Sequence, residues 1–143
     1  MTERRPVVLL VDDEPRILSA LTRALRREGY DLLTAETPAE ALRWIETRSI
    51  DCVLSDHKMP GMTGLELVER LAERHPHAAR LLITGWNTEI DPHELARLGV
   101  ARVLPKPWDD AELKSALRAA LAGAPAHDAQ AATGNNTWKR VPG

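Results

Sequence analysis

Hydrophobic residues along the chain fall into five short runs that are nearly continuous rather than alternating. The runs cover residues 7–11, 32–35, 52–55, 81–84 and 101–104. Strands of a parallel sheet show this pattern, because helices cover both of their faces. The runs therefore predict five buried strands.

The segments between the runs predict helices, since their apolar residues recur every three or four positions with arginines and glutamates between them. The apolar sets are Ile17, Leu21 and Leu25; Leu42 and Ile45; Leu65, Val68 and Leu71; Leu95 and Leu98; Leu113, Leu117 and Leu121. Three helix starts carry the pattern of a capping box, namely Thr37 with Glu40, Thr63 with Glu66, and Asp109 with Glu112. Asp91 and Pro92 predict the start of a short fourth helix.

Strands and helices alternate strictly along the chain, which is typical of an α/β fold with right-handed crossovers. We predict a flavodoxin-like (βα)5 three-layer sandwich with a parallel five-stranded sheet in the order 2-1-3-4-5. Near residue 123 the pattern stops, and the remaining residues are small, polar and aperiodic. We assign residues 1–122 to one domain and 123–143 to a flexible tail or interdomain linker.

Composition and charge fit one water-soluble domain. The chain has 143 residues, of which 43% are hydrophobic and 28% charged. A net charge of −2 argues against a general binder of nucleic acids or anionic membranes. One cysteine, Cys52, cannot form an internal disulfide, and neither a signal peptide nor a membrane-length apolar run is visible. We expect a cytoplasmic protein.

Polar residues stand where four of the predicted strands end. Asp12 and Asp13 follow the first run, Asp56 follows the third, Thr84 closes the fourth and Lys106 follows the fifth. The carboxyl ends of parallel strands share one edge, and ligands bind where the strand order reverses, here between the first and third strands. We therefore expect the three carboxylates to lie together, with Thr84 and Lys106 beside them.

Such a cluster predicts chemistry on phosphoryl groups. Like charges at close range resist ionisation unless a positive charge compensates, and Mg²⁺ (or Mn²⁺) with oxygen ligands does so. Lys106 adds an ammonium group and Thr84 a hydroxyl donor for phosphoryl oxygens. Asp56 is then placed as the nucleophile, because a carboxylate can attack phosphorus to give an aspartyl phosphate.

The residues at the strand ends resemble a known family. The segments "VDDE", "SDHKMPGMTGLE", "ITG" and "PKPW" follow the first, third, fourth and fifth strands. With them, the chain from about Pro6 to Ala122 resembles the receiver domain of two-component response regulators, in the CheY-like superfamily. The resemblance implies a signalling protein rather than an enzyme, a phosphoacceptor that assists its own phosphorylation and dephosphorylation.

The resemblance also implies partners and a metal site. Asp56 would receive its phosphoryl group from a phosphohistidine on a sensor histidine kinase or a phosphotransfer protein. Asp12, Asp13, Asp56 and the backbone carbonyl of Lys58 would hold Mg²⁺. Lys106 would pair with Asp56 and then with the phosphoryl oxygens.

For the output, the resemblance implies a conformational switch. Thr84 would move toward the phosphoryl group, the surface of the fourth helix and fifth strand would repack, and the Lys106–Pro107 bond would be cis. The repacked surface would control a partner protein or an attached output domain, with no direct nucleic-acid binding by this domain. A homodimer through the fourth helix, fifth strand and fifth helix is a further expectation from the family.

Four residues depart from the family pattern or invite a special role. The position that is aromatic in many receivers is Val103, and Trp86 or Trp108 would have to replace that ring or else merely cover the loops. Lys58 lies two residues after Asp56. Our hypothesis is that Lys58 tunes the lifetime of the phosphorylated state; the alternative is a solvated surface lysine.

Other functions stay open from the sequence. A haloacid-dehalogenase-type phosphatase also uses an aspartate nucleophile with Mg²⁺, but its second aspartate follows the nucleophile by two residues, whereas Asp12 and Asp13 are adjacent. A pure interaction module that no longer accepts phosphate is a further alternative. The chain can also be the receiver part of a longer regulator with a transcriptional or phosphodiesterase output.

Overall fold

The computed structural model describes residues 4–85 and 88–123, in which five strands alternate with five helices. The strands are β1 (Val7–Val11), β2 (Asp31–Ala35), β3 (Cys52–Asp56), β4 (Ala79–Gly85) and β5 (Val100–Lys106). The helices are α1 (Pro15–Leu25), α2 (Pro38–Thr47), α3 (Gly64–Arg74), α4 (Pro92–Arg97) and α5 (Asp110–Gly123). The predicted alternation of strand and helix is confirmed.

The five strands form one parallel sheet in the order β2-β1-β3-β4-β5, which confirms the predicted fold class. Apolar side chains of alternate strand residues fill two core layers, one on each face of the sheet. One layer joins the sheet to α2, α3 and α4, and the other joins it to α1 and α5. Leu9 and Val53 belong to the first layer and Leu10 and Leu54 to the second, all fully buried.

Strands β4 and β5 extend past the apolar runs that predicted them. Backbone pairing continues into polar residues, since Thr84 pairs with Pro105 and Gly85 with Lys106. Thr84 therefore lies inside β4, as the run 81–84 predicted, and Lys106 is the last residue of β5 rather than a loop residue. The hydrogen-bonded sheet holds their backbones in place.

Helix α3 begins with the complete capping box predicted for it. Thr63 Oγ1 accepts a hydrogen bond from the backbone N–H of Glu66, and Glu66 Oε1 accepts one from the backbone N–H of Thr63. Helix α4 also begins as predicted, with the Asp91 carboxylate accepting from the backbone N–H of His93.

The other two predicted capping boxes are only half formed. Thr37 Oγ1 accepts from the Glu40 backbone, but the Glu40 carboxylate accepts from the Glu36 N–H instead of returning to Thr37. Asp109 accepts from the Glu112 backbone N–H, while the Glu112 carboxylate pairs with an arginine on β5. In both cases the glutamate carboxylate accepts from a different donor, so the second hydrogen bond of the capping box does not form.

None of the helices within residues 4–85 and 88–123 is long and apolar enough to cross a lipid bilayer. Helix α5 ends at Gly123, one residue beyond the predicted domain boundary. The rest of the predicted tail lies outside the described residues.

Candidate functional site

Three carboxylates meet at the carboxyl ends of β1 and β3. One oxygen from each of Asp12, Asp13 and Asp56 lies within 4.8 Å of the others. Asp12 is fully buried, Asp56 is 5% exposed and Asp13 is exposed. The structure thus brings together the three acids that the sequence placed at the point where the strand order reverses.

The backbone and the carboxylate of Asp12 each make contacts that fix its position. Its backbone N–H donates to the carbonyl of Ala35 at 3.2 Å, and its Oδ1 accepts from the N–H of Glu14 at 2.9 Å. Its Oδ2 lies 2.8 Å from Lys106 Nζ but has no well-directed hydrogen-bond donor in the described part of the chain. The contact with Lys106 is therefore an ion pair, and Oδ2 can still bind a second positive group.

Lys106 reaches from the end of β5 toward two of the carboxylates. Its Nζ lies 3.4 Å from Asp56 Oδ1 in addition to its contact with Asp12. Burial lowers the pKa of Lys106, but the two carboxylates outweigh burial and leave its pKa raised above the ordinary value. Lys106 is thus charged at neutral pH. The Lys106–Pro107 peptide bond is cis.

Asp56 has a strongly perturbed acidity. Burial, followed by repulsion from Asp12, raises the pKa of Asp56 to about 6, although Lys106 acts in the opposite direction. One ammonium group therefore does not neutralise the three carboxylates.

A divalent cation with oxygen ligands fits this site. The three carboxylates offer oxygens at close range, and Asp12 Oδ2 is buried without a directed donor among the residues described. Mg²⁺ commonly binds one or two carboxylates and keeps several water molecules. The exposed side of the cluster, at Asp13, leaves room for such waters.

Thr84 places a hydroxyl group at the carboxyl end of β4, the strand beside β3 and Asp56. It follows Ile83, the residue of β4 that pairs with Asp56. Thr84 is 6% exposed, and within residues 4–85 and 88–123 its Oγ1 is buried without a hydrogen-bond partner. A buried hydroxyl without a partner is costly, so an incoming oxygen atom would gain a donor here.

The loop from Asp56 to α3 packs closely against the site. The N–H of Gly64 donates to the carbonyl of His57 at 2.8 Å. A methyl group on Gly64 would lie 2.5 Å from the backbone oxygen of Asp56, closer than real contacts allow. Gly64 is therefore required for the close approach of α3 to the site, a role that the sequence analysis did not assign to it.

Sequence analysis missed Ser55. This residue is fully buried, and its Oγ donates a hydrogen bond to the backbone oxygen of Asp56 at 2.9 Å. The signal was available, because Ser55 is the polar residue in the apolar run that leads to Asp56.

The residues that depart from the family pattern lie in different places. The side chain of Lys58 is exposed. Val103 is half-buried opposite Leu82 and packs against the core layer of α2, α3 and α4. Trp108 packs against the layer of α1 and α5, and its Nε1 donates to Asp110 at 2.9 Å. Trp108 therefore does not take the place of an aromatic ring at Val103, and Trp86 lies outside the described residues.

Fold and site together define a class of protein. An open, doubly wound α/β sheet carries a cluster of three carboxylates at its switch point, flanked by a partly buried lysine and a buried hydroxyl. This arrangement is typical of domains that bind a phosphoryl group together with a divalent cation.

Comparison with known proteins gives the family. The sequence pattern of the response regulator receiver domain matches residues 8–118, so the chain belongs to this family. It is 35% identical to the transcriptional regulatory protein GlrR of Escherichia coli over 129 residues, which is 90% of this chain and 29% of that protein. It is 36% identical to the DNA-binding transcriptional regulator NtrC of Escherichia coli over 107 residues, 74% of this chain and 23% of that protein. The chain thus spans under a third of either relative.

Solved structures agree with this assignment. The receiver domain of an HD domain-containing protein from Pseudomonas fluorescens superposes with a TM-score of 0.78 at 38% identity, covering 83% of this chain and 96% of that one. A CheY-like receiver domain protein from Methanospirillum hungatei gives a TM-score of 0.77 at 27% identity, covering 92% of this chain and 100% of that one.

Proposed function

We propose that Asp56 accepts a phosphoryl group from a phosphohistidine on a sensor histidine kinase or a phosphotransfer protein. Asp12, Asp13, Asp56 and the backbone carbonyl of Lys58 would hold Mg²⁺ (or Mn²⁺). The observation that carries the proposal is the cluster of three carboxylates within 4.8 Å that a single ammonium group leaves incompletely neutralised. The domain, residues 1–122, acts as a switch and not as an enzyme that turns over an independent substrate.

In the chemical step, a carboxylate oxygen of Asp56 attacks the phosphorus in line with the leaving nitrogen. A P–O bond forms, the P–N bond breaks, and its electron pair stays on the imidazole nitrogen of the donor. With a pKa of about 6, most Asp56 is ionised at neutral pH and can act as the nucleophile. The bound cation would supply neutralisation of the phosphoryl oxygens.

After transfer, residues around Asp56 bind the new phosphoryl group. The Lys106 ammonium, 3.4 Å from Asp56 Oδ1, pairs with phosphoryl oxygens. The Thr84 hydroxyl donates to another, because among the described residues it has no competing partner. Thr84 lies one residue before the paired ends of β4 and β5, and its movement shifts the surface of α4 and β5 toward its active conformation.

We further propose that this surface controls an output domain or a partner protein. Two relatives of this chain are named transcriptional regulators. A transcriptional output is therefore the first to test.

Incubation with acetyl phosphate and Mg²⁺, followed by intact-mass measurement, tests the phosphoacceptor. We expect the protein to gain the mass of one phosphoryl group and to lose it on treatment with hydroxylamine, as an acyl phosphate does. No mass should be gained when EDTA is present during the incubation. Asp56→Asn is the matched control and should gain nothing. No gain by the wild-type protein would favour a pure interaction module, and rapid multiple turnover of acetyl phosphate would favour a phosphatase.

A further inference from the structure

Ser55 places a hydroxyl group where the core is otherwise apolar. It is fully buried in β3, pairs with Val11 and Leu82 in the neighbouring strands, and points to the same face as Val53. Burying a hydroxyl in such surroundings costs free energy unless it is hydrogen-bonded. Alanine would fill most of the same space without that cost, so the fold alone does not explain a serine here.

The hydrogen bond of Ser55 is local. Its Oγ donates to the backbone oxygen of the next residue, Asp56, at 2.9 Å. A bond between neighbouring residues connects no two elements of the fold, so it adds little to tertiary stability. It does restrict rotation of the peptide that joins Asp56 to His57.

The start of α3 also contacts this peptide. Gly64 approaches the Asp56 oxygen so closely that a methyl group would lie 2.5 Å from it, and the Gly64 N–H donates to the His57 carbonyl at 2.8 Å. Contacts from β3 and from α3 therefore converge on the peptide that follows the reacting residue.

We propose that Ser55 is a positioning residue for the phosphoryl site. Its hydroxyl fixes the Asp56–His57 peptide plane, and so sets the Asp56 carboxylate against Asp12 and Lys106 and sets the direction of the loop that carries Lys58. The inference rests on the proposed role of Asp56. Displacement of reacting groups by about 1 Å can reduce a rate by about a hundredfold, so this restraint matters for the reaction more than for folding.

The test compares Ser55→Ala with Val53→Ala, a change of a buried residue on the same face of the same strand. For Ser55→Ala we expect the phosphorylation rate constant at saturating acetyl phosphate and Mg²⁺ to fall about tenfold. Its Mg²⁺ affinity, measured by titration without phosphodonor, should fall about threefold, with a melting temperature within about 4 °C of wild type. Val53→Ala leaves a cavity and should lose more thermal stability, yet keep both site properties.

Two further variants and one spectroscopic measurement sharpen the test. Ser55→Thr keeps the hydroxyl and should retain the wild-type rate within about threefold, whereas Ser55→Cys keeps the volume with a weak donor and should share the defect of Ser55→Ala. Amide hydrogen exchange at Gly64, followed by NMR, should quicken in Ser55→Ala and stay unchanged in Val53→Ala.

Wild-type phosphorylation and Mg²⁺ affinity in both Ser55→Ala and Ser55→Cys would overturn the inference. Losses in Val53→Ala equal to those in Ser55→Ala would also overturn it, because they would show a merely structural role. If the wild-type protein takes no phosphoryl group, the proposed function fails separately, and the Mg²⁺ titration and Gly64 exchange still decide the role of Ser55.

Discussion

At the scale of single residues, ionisation of Asp56 opposes folding of the metal-free protein. Its pKa of about 6 in the folded state lies above the value of about 3.9 in an unfolded chain, because burial and Asp12 disfavour the charged form. The folded state therefore holds this proton more tightly than the unfolded state does. The contribution of Asp56 to the free energy of unfolding is fully present below about pH 4 and is lost as the pH rises through about 6.

Asp56→Asn tests this linkage, because asparagine cannot ionise. In EDTA at about pH 7.5, we expect the variant to exceed wild type by about 1–3 kcal/mol in the free energy of unfolding measured in urea. At about pH 4 the gain should shrink to less than about 1 kcal/mol. Asp13→Asn, a change of an exposed carboxylate, should have a smaller effect, and an equal gain for Asp56→Asn at both pH values would contradict the argument.

Lys58→Ala tests whether the exposed lysine near the site affects the phosphorylated state. An ammonium group near phosphoryl oxygens at an exposed position stabilises them by about 0.2–1 kcal/mol, which corresponds to a decay slowed by up to about fivefold. We expect Lys58→Ala to lose its phosphoryl group about two to five times faster once the donor is removed, as followed by intact mass.

Lys58→Arg keeps the positive charge and is the matched control, with an expected decay close to wild type. An unchanged decay rate in Lys58→Ala would mean that Lys58 is a solvated surface residue.

At the scale of elements, the sequence predicted the parts of the site that depend on where each strand ends. Asp12, Asp56 and Lys106 each follow an apolar run, and parallel strands bring such ends to one edge, so their meeting required no knowledge of side-chain contacts. The positions of the strand ends could not predict which of two neighbouring hydrogen-bond donors a side chain binds. Glu40 binds the Glu36 N–H instead of its own helix cap because both donors lie within its reach.

Gly64→Ala tests the close contact between α3 and the site. The added methyl group would meet backbone atoms at 2.5 Å (the Asp56 oxygen) and 2.9 Å (the His57 Cα), neither of which can move without shifting β3 or the loop. We expect a loss of about 1–3 kcal/mol in the free energy of unfolding, although alanine is the better helix former. Mg²⁺ affinity should fall as well, as measured by titration.

Gly29→Ala provides the comparison for Gly64→Ala. Gly29 has a φ of +89° and open space around its Cβ position, so alanine there strains the backbone far from the carboxylates. It should lower stability and leave Mg²⁺ affinity unchanged. Equal Mg²⁺ affinity in both variants would show that the contact at Gly64 does not position the site.

At the scale of the whole molecule, the sheet joins the site to both core layers. Asp56, Thr84 and Lys106 lie in three neighbouring strands, β3, β4 and β5, which pair in parallel through backbone hydrogen bonds. Side chains of these strands alternate between the layer of α2, α3 and α4 and the layer of α1 and α5. A change of charge at Asp56 therefore acts on strands that support the surface of α4 and β5.

The two core layers also define the limits of the folding unit. A chain shortened after Gly123 would test the limit at the carboxyl end. The fully or largely buried core residues of the described chain lie between Val7 and Leu117, and α5 ends at Gly123. We expect the shortened chain to melt within about 4 °C of the full chain and to be phosphorylated by acetyl phosphate at the same rate. A chain ending before α5 loses the buried Leu113 and Leu117 and should not fold, as judged by circular dichroism. If the chain ending at Gly123 melts much earlier than the full chain, the folding unit includes part of residues 124–143 and the domain boundary proposed at 122 is wrong.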